Sequence, residues 1–338
     1  MSLARRALLL APLAAPAIAS AQTGELVVGT WGGDYAALLA SEIEQPLLRP
    51  RGLLPVHEVG TPAARKTRLI AERSSRRASM DVVCLGDADT HAIGQMGLLE
   101  ELTPEKVPNL AKVIPALRYP YTLPHIYSVR AILSNPARMD PAPTRYDQLF
   151  VEGLRNRIGF SDLLFTHITE SAAIAAGGDE GNHRPGRGKL LEWKRLGARV
   201  YPSNEVLAAA LKSEEVWATI IWLGRAYMWR KAGIPVVARI PEEGATPYIS
   251  CACVPKNARN KEAAFAYLDA MLDPRAALGF AERMGFLPTT TDATLPLALQ
   301  AEIGLTAEQQ AKLRRQDFDY LARTNAETLD FWNREFKG

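Results

Sequence analysis

The sequence predicts an α/β protein of two lobes, and three observations carry that prediction. β-type apolar runs alternate with runs of helical spacing along most of the 338 residues, the pattern of successive β-α-β units. The length exceeds what one hydrophobic core usually holds. Two long β-type runs without an internal turn signal, 126–133 and 248–254, are suited to carry the chain from one lobe to the other and back.

The first unit is ELVVGTWGGDY, residues 25–35. Leu26, Val27 and Val28 are consecutive apolar residues, as in a strand buried on both faces, and helical spacing begins at Tyr35, Leu38, Leu39 and Ile43. Between them Gly32 and Gly33 permit close backbone approach, and Trp31 presents a flat apolar wall. Ligands of open α/β sheets collect at the carboxyl ends of strands, so residues 30–35 read either as a ligand-contacting turn or as a tight βα turn with a packed tryptophan. Strands are expected next at 56–59 and 80–85, with a helix at 63–73 that turns Leu69 and Ile70 inward. Asp87 and Asp89 follow the third strand, Gly97 ends the next helix, and a proline-studded stretch covers 104–124. This half predicts a mainly parallel sheet with right-handed crossovers.

Beyond 126–133 the alternation restarts. Strands are expected at 157–161, 199–201, 216–222 and 236–240, and helices at 163–176, 189–196, 204–211 and on to 232, which predicts a second sheet with its own core. After 248–254 come helices at 261–272 and 275–284, with Pro274 opening the second. The tail, 306–336, has helical spacing and is expected to pack across the outside of the lobes.

Arg5 and Arg6 precede an apolar run, 7–19, that ends in Ala19-Ser20-Ala21, a small-x-small cleavage pattern. Residues 1–21 therefore read as a signal peptide, by ordinary export or by a twin-arginine route, with the mature chain starting near Gln22. No later run is apolar and long enough to span a bilayer. Without the leader the formal charge falls from +3 to about +1, which argues against a nucleic-acid or membrane-surface partner. The densest basic run, ERSSRR, reads as a solvated helix end. Three cysteines, Cys84, Cys251 and Cys253, cannot all pair; buried thiols are expected, with a bridge from Cys84 to either of the others left open. No CxxC pair or histidine spacing suggests a metal, so neither metal nor cofactor is expected.

Several stretches carry a family likeness: LVVGTW, MDVVCLGD followed by MGLLEEL, TIIWLGRAYMWRKAGIPV, and IPEEGATPYISCACVPKNARNKEAAFAYLDAML running into MGFLPTTTDA. The chain resembles periplasmic solute-binding proteins of ABC importers, and among them the spermidine/putrescine-binding group. PKNARNKEAAFAYLDAML is the most specific of these stretches. The resemblance implies a Venus-flytrap clamp of type II with hinge strands, a ligand in the cleft, no covalent chemistry, and a closed form that docks on a permease in the inner membrane. It implies lobe 1 from 22–128 plus 251–300, lobe 2 from 129–250, and C-terminal helices over 301–338. By position Trp31, Trp222 and Tyr248 match the aromatic walls around the ligand, and Phe286 another ring near the cleft. Rings hold methylenes and cation faces, each cation-ring contact giving about 0.5–2 kcal/mol.

The departures bear on specificity. Ser250 stands where polyamine binders carry an acid, and Arg225 near Trp222 where they have a small polar residue. The first removes a charge-assisted bond of about 1.5–3 kcal/mol, and the second would repel an ammonium. Arg225 sits near a helix start, where the dipole disfavours a cation, so an anionic partner is expected, either Glu243 or a substrate carboxylate. Asp34, Asp87 and Asp162 remain as acids at strand ends; Asp87, Asp89 and Asp162 read equally as helix caps. The expected ligand contacts are thus Trp31, Gly32, Asp34, Tyr35, Asp87, Asp162, Trp222, Arg225, Tyr248, Ser250 and Phe286, with Trp31 and Trp222 enclosing the ligand from opposite lobes. The expected product is a periplasmic monomer that captures a polyamine-like or other amine solute, the alternatives being a carboxylate-bearing or zwitterionic solute or ferric ion. Iron is disfavoured because Tyr119 and Tyr121 are split by Pro120 in the proline-rich stretch. No GxSxG, HExxH or P-loop pattern supports an enzyme. A sensor that presents its closed shape to a receptor would need the same cleft.

Overall fold

The computed structural model describes residues 24–338, so the predicted leader, residues 1–21, lies outside the described residues. In chain order the first half contains β1 (Gly24–Thr30), α1 (Asp34–Leu38), β2 (Leu53–Val59), α2 (Pro62–Ala71), β3 (Val82–Gly86), α3 (Asp87–Gln95) and β4 (Leu123–Ser134). There follow β5 (Gly159–Ser161), α4 (Phe165–Ala175), α5 (Gly186–Arg195), β6 (Arg199–Tyr201), α6 (Asn204–Lys212), β7 (Ala218–Trp222), α7 (Leu223–Lys231), β8 (Val237–Arg239) and β9 (Pro247–Cys253). The last part holds α8 (Lys261–Met271), α9 (Pro274–Met284), β10 (Leu287–Pro288), α10 (Leu297–Ile303), α11 (Ala307–Ala311) and α12 (Phe318–Phe331). Local chemistry sets several of these bounds. At α9 the Asp273 carboxylate accepts from the N–H groups of Arg275 and Ala276, Pro274 takes a position whose N–H would be unpaired, and Gly285 ends the helix at φ 68°.

The main sheet has strand order β10-β4-β9-β3-β1-β2. Only β1–β2 and β1–β3 are parallel; β3–β9, β9–β4 and β4–β10 are antiparallel. The sheet is therefore mixed, where a mainly parallel one was expected, because the two long runs return through its middle. β4 is buried along its whole length. Its first part pairs with β9, whereas Arg130 to Ser134 pair with β7 and β8. The second lobe thus does not start a separate sheet: β4 continues into it, and the short parallel pair β5–β6 joins β7 through the bridge between Ile158 and Ala218.

The tail is anchored by burial. α12 lies against both α3 and α4, Trp332 and Phe336 are buried, and Lys194 donates to the carbonyls of Glu335 and Gly338 at 2.7 and 2.5 Å. No helix among the described residues is long and apolar enough to cross a membrane.

Strand register settles the cysteines. Cys84 lies directly opposite Ala252, so it shares a face with Ala252, while Cys251 and Cys253 point to the other face. A bridge from Cys84 to either would have to pass through the sheet. All three thiols are free and buried. Burial pushes Cys84 up to about 11 and the other two higher still. A thiol-specific reagent at pH 8 is expected to leave the native protein unlabelled and to titrate all three cysteines in denaturant. Rapid labelling of the folded chain, or fewer than three thiols after unfolding, would contradict this arrangement.

Candidate ligand-binding site

Strand ends and helix starts converge around Asp87. The β3 strand stops at Gly86, and Asp87 opens α3, where the helix dipole favours an anion. Its side chain is buried. One carboxylate oxygen accepts from the Ile249 N–H on β9 at 3.0 Å and the other from the Ala88 N–H at 2.9 Å. Burial pushes the Asp87 carboxyl up to about 7, against the opposing pull of those two donors. A Cβ on Gly86 would stand 3.3 Å from the Tyr248 ring, so the glycine makes room for that ring. Tyr248 in turn stacks on Trp222, with centroids 4.7 Å apart and planes 17° from parallel, and His167 meets Trp222 edge-on.

Next to this stack lies a buried ionic network. Arg130 faces Trp222 in the β4–β7 register. Its guanidinium donates to Glu170 at 3.0 Å, His167 Nδ1 at 3.0 Å and Ser171 Oγ at 3.1 Å. Because arginine can only donate, His167 Nδ1 is an acceptor and the ring proton sits on Nε2. The other oxygen of Glu170 accepts from Thr246 Oγ1 at 2.7 Å, and the oxygen facing Arg130 accepts also from Gln316 Nε2 at 3.1 Å. Burial, the largest single effect, would raise the Glu170 carboxyl; the Arg130 charge and smaller contributions from His183, His167 and the Thr246 hydrogen bond together outweigh it and hold the group down to about 2. Burial, and then Arg130, push His167 down to about 3, so it is neutral.

A cavity of about 300 Å³ adjoins the network, lined among others by Asp87, Thr90, His91, Tyr119, Tyr121 and Gln316. Its size is at the small end of ligand pockets, which run from about 300 to 1,000 Å³. Gln316 belongs to both features. Since the Glu170 carboxylate only accepts, the amide must present Nε2 to it, which turns Oε1 away; that oxygen is buried and unpartnered. A buried carbonyl oxygen without a donor is costly.

The residues expected from the sequence fare unequally. Asp87, Tyr248, Trp222 and Ser250 are brought together at the ends of β3, β7 and β9, although Trp222 and Tyr248 stack on each other instead of standing as separate walls. Trp31 carries the Arg65 guanidinium over its ring at 5.0 Å and meets Tyr35 edge-on. Arg65 itself is buried and donates to the carbonyls of Thr30, Gly60 and Cys84, which ties the ends of β1 and β3. Tyr35 is buried with its hydroxyl 2.8 Å from His125 Nδ1, a core contact. Gly32 and Asp34 are exposed.

Three of the expected residues have protein partners of their own. The Asp162 carboxylate is fully engaged by Trp332 Nε1 at 2.7 Å and Lys337 Nζ at 2.6 Å, so it anchors the tail. Arg225 lies 3.9 Å from Glu205, whereas Glu243 accepts from the Tyr146 N–H. Phe286 is buried against Gly224, where a Cβ would come within 2.8 Å of its ring, so it packs the start of α7. Asp89 pairs with Lys66 at 2.5 Å. Tyr119 and Tyr121, set aside because of Pro120, both line the cavity. Arg130, Glu170 and Gln316 were missed. A lone arginine inside the apolar run IYSVRAIL was the available signal for the first; nothing local marks the other two.

Comparison with known proteins bears on the family and the fold. The sequence profile described as bacterial extracellular solute-binding protein matches residues 64–307, more than half of the chain. Over 201 residues the chain is 25% identical to the spermidine/putrescine-binding periplasmic protein of Salmonella typhimurium, covering 56% of this chain and 58% of that one. It is 26% identical over 201 residues to the protein of the same description from Escherichia coli, with the same coverage. The chain thus spans 58% of the length of the curated relatives it matches. A solved ABC transporter structure from Clostridium perfringens superposes with a TM-score of 0.78 at 20% identity, over 92% of this chain and 100% of that one, and shows the same two-lobe fold. This chain belongs to the bacterial extracellular solute-binding protein family.

Proposed function

We propose that the chain is the extracytoplasmic solute-binding component of an ABC importer with lobes formed by residues 22–128 plus 251–300 and 129–250, that it captures a small amine-bearing solute in the cavity where the first of these lobes meets the C-terminal segment 315–319, and that it delivers the solute to a membrane permease from the periplasm. The observation that carries the amine reading is the buried Asp87 carboxyl in the cavity wall. Its oxygens accept hydrogen bonds, and an ammonium group supplies three donors and a positive charge. The rings of Tyr119, Tyr121 and Phe318 line the same cavity and suit the methylenes of an alkyl amine. The likeness to spermidine/putrescine-binding relatives supports the same class of solute. The closing contacts proposed for Trp31, Trp222, Tyr248 and Ser250 follow from their position at the strand ends.

Thermal unfolding of the mature protein with and without alkyl amines tests this. A ligand at a hundred times its dissociation constant adds about 2.7 kcal/mol to the folded state, a shift of several degrees for a chain of this size. Primary amines of three to six carbons are expected to raise the melting temperature, and the matching alcohols are not. A cooperative melt that no amine moves would defeat the reading.

A further inference from the structure

The charged side chains lining the cavity are Asp87, His91, Arg315, Asp317 and Asp319. Four of the five are already engaged. Asp87 holds two backbone N–H groups, His91 pairs with Asp319 at 2.9 Å, and Asp317 caps α12 through the Tyr320 N–H at 2.8 Å. Arg315 is exposed and has no carboxylate partner among the described residues, while its neighbour Arg314 pairs with Glu180. The cavity therefore has a buried acceptor, Asp87, and an exposed basic group, the uncommitted Arg315 guanidinium. Tyr119 stands between them electrostatically: besides the effect of burial, its hydroxyl is pushed up by Asp87 and pulled down by Arg315.

We propose that the solute is a zwitterion, an amino acid with its amine and carboxylate separated by a short alkyl chain, whose ammonium meets Asp87 and whose carboxylate is held by Arg315. The proposal rests on the amine-binding reading above and makes Arg315 the residue that discriminates among amines. A diamine of equal length would bring its second ammonium to the guanidinium, where like charges repel. A carboxylate there gains the fork-shaped pairing that arginine offers. In a cavity of about 300 Å³ a short solute has both ends read at once, so the preference is expressed in a single binding event.

The test is calorimetric titration of the full mature chain with a matched four-carbon series: 4-aminobutyrate, 1,4-diaminobutane, butylamine and butyrate. In the wild type 4-aminobutyrate is expected to bind best, about 10- to 100-fold tighter than butylamine or the diamine. Arg315→Gln should remove that margin while leaving butylamine affinity within about threefold, and Arg315→Glu should turn the preference toward the diamine. Arg315 is exposed, and neither variant is expected to alter the melting temperature of the ligand-free protein. If the diamine binds tightest in the wild type and Arg315→Gln leaves the ranking unchanged, the zwitterion proposal is wrong and the amine reading stands. If none of the four binds to a cooperatively folded protein, both are wrong.

Discussion

Glu170→Ala is expected to lower the melting temperature by roughly 10 °C. The Arg130 and Glu170 side chains are each only 1% exposed, and removing one partner of such a pair strands the other charge in a low-dielectric interior, at about 3–5 kcal/mol. For a domain somewhat smaller than this, each kcal/mol corresponds to roughly 2–4 °C. The loss reaches beyond the pair. Arg130 sits where β4 passes from β9 to β7, and its N–H donates to the Thr246 carbonyl at 3.0 Å, just before β9 begins. The same carboxylate collects Thr246 and Gln316, so one side chain ties α4 to both lobe-connecting strands and to the tail. The double variant Arg130→Met with Glu170→Leu should recover most of the loss, since two apolar side chains need no mutual compensation. The pH dependence has a definite sign. Glu170 has its folded pKa depressed to about 2, so its contribution is complete above the unfolded value near 4.5 and disappears as pH falls toward 2. The gap between wild type and Glu170→Gln should therefore close between those limits. Chemical denaturation at pH 7 checks the main claim, and a Glu170→Ala loss below 1 kcal/mol would contradict it.

The contrast between what was and was not legible has a physical source. Leu26, Val28, Leu69 and the apolar run of β4 announced buried strands and helix faces because burial follows periodicity, and periodicity is local. The turn residues 30–35 and the acids after β3 were visible as strand ends for the same reason. Sheet type was not: whether β9 enters antiparallel between β3 and β4 depends on pairings some 170 residues apart in the chain, such as Val83 with Cys253. Asp162 shows the limit for single side chains. As an acid after a strand it could cap, bind or anchor, and what decided it was Trp332, which lies 170 positions away. Gln316 is the sharper case. A glutamine in RRQDFDY carries no signal by itself; it becomes a site residue only because the fold brings it to the cavity wall, where its amide donates to Glu170.

Asp87 gives the second large effect, on binding and its pH dependence. With its folded carboxyl at about 7, the ligand-free protein holds a proton there below neutrality, and a proton must leave before an ammonium can pair with the carboxylate. Amine affinity is expected to fall about tenfold per pH unit below 7 and to level off above 8, since one pKa unit is worth about 1.4 kcal/mol. Stability of the ligand-free protein should move the other way. A carboxyl raised above its unfolded value contributes stability that is full below about 4 and is lost as pH rises through 7, because the folded state binds the proton more tightly. Binding and stability thus pull apart between pH 6 and 8, a pattern that a purely structural acid with a low pKa does not produce. Titration at pH 6.5 in two buffers of different ionisation enthalpy should reveal a proton released on binding. Asp87→Asn should abolish the release and flatten the affinity profile, with affinity at pH 8 lower by about 10- to 100-fold. The amide can accept only one of the two N–H groups now held by Asp87, so some stability is lost in either case; the discriminating readout is the slope of affinity against pH. A wild-type affinity that stays level from pH 6 to 8 would remove Asp87 from the site.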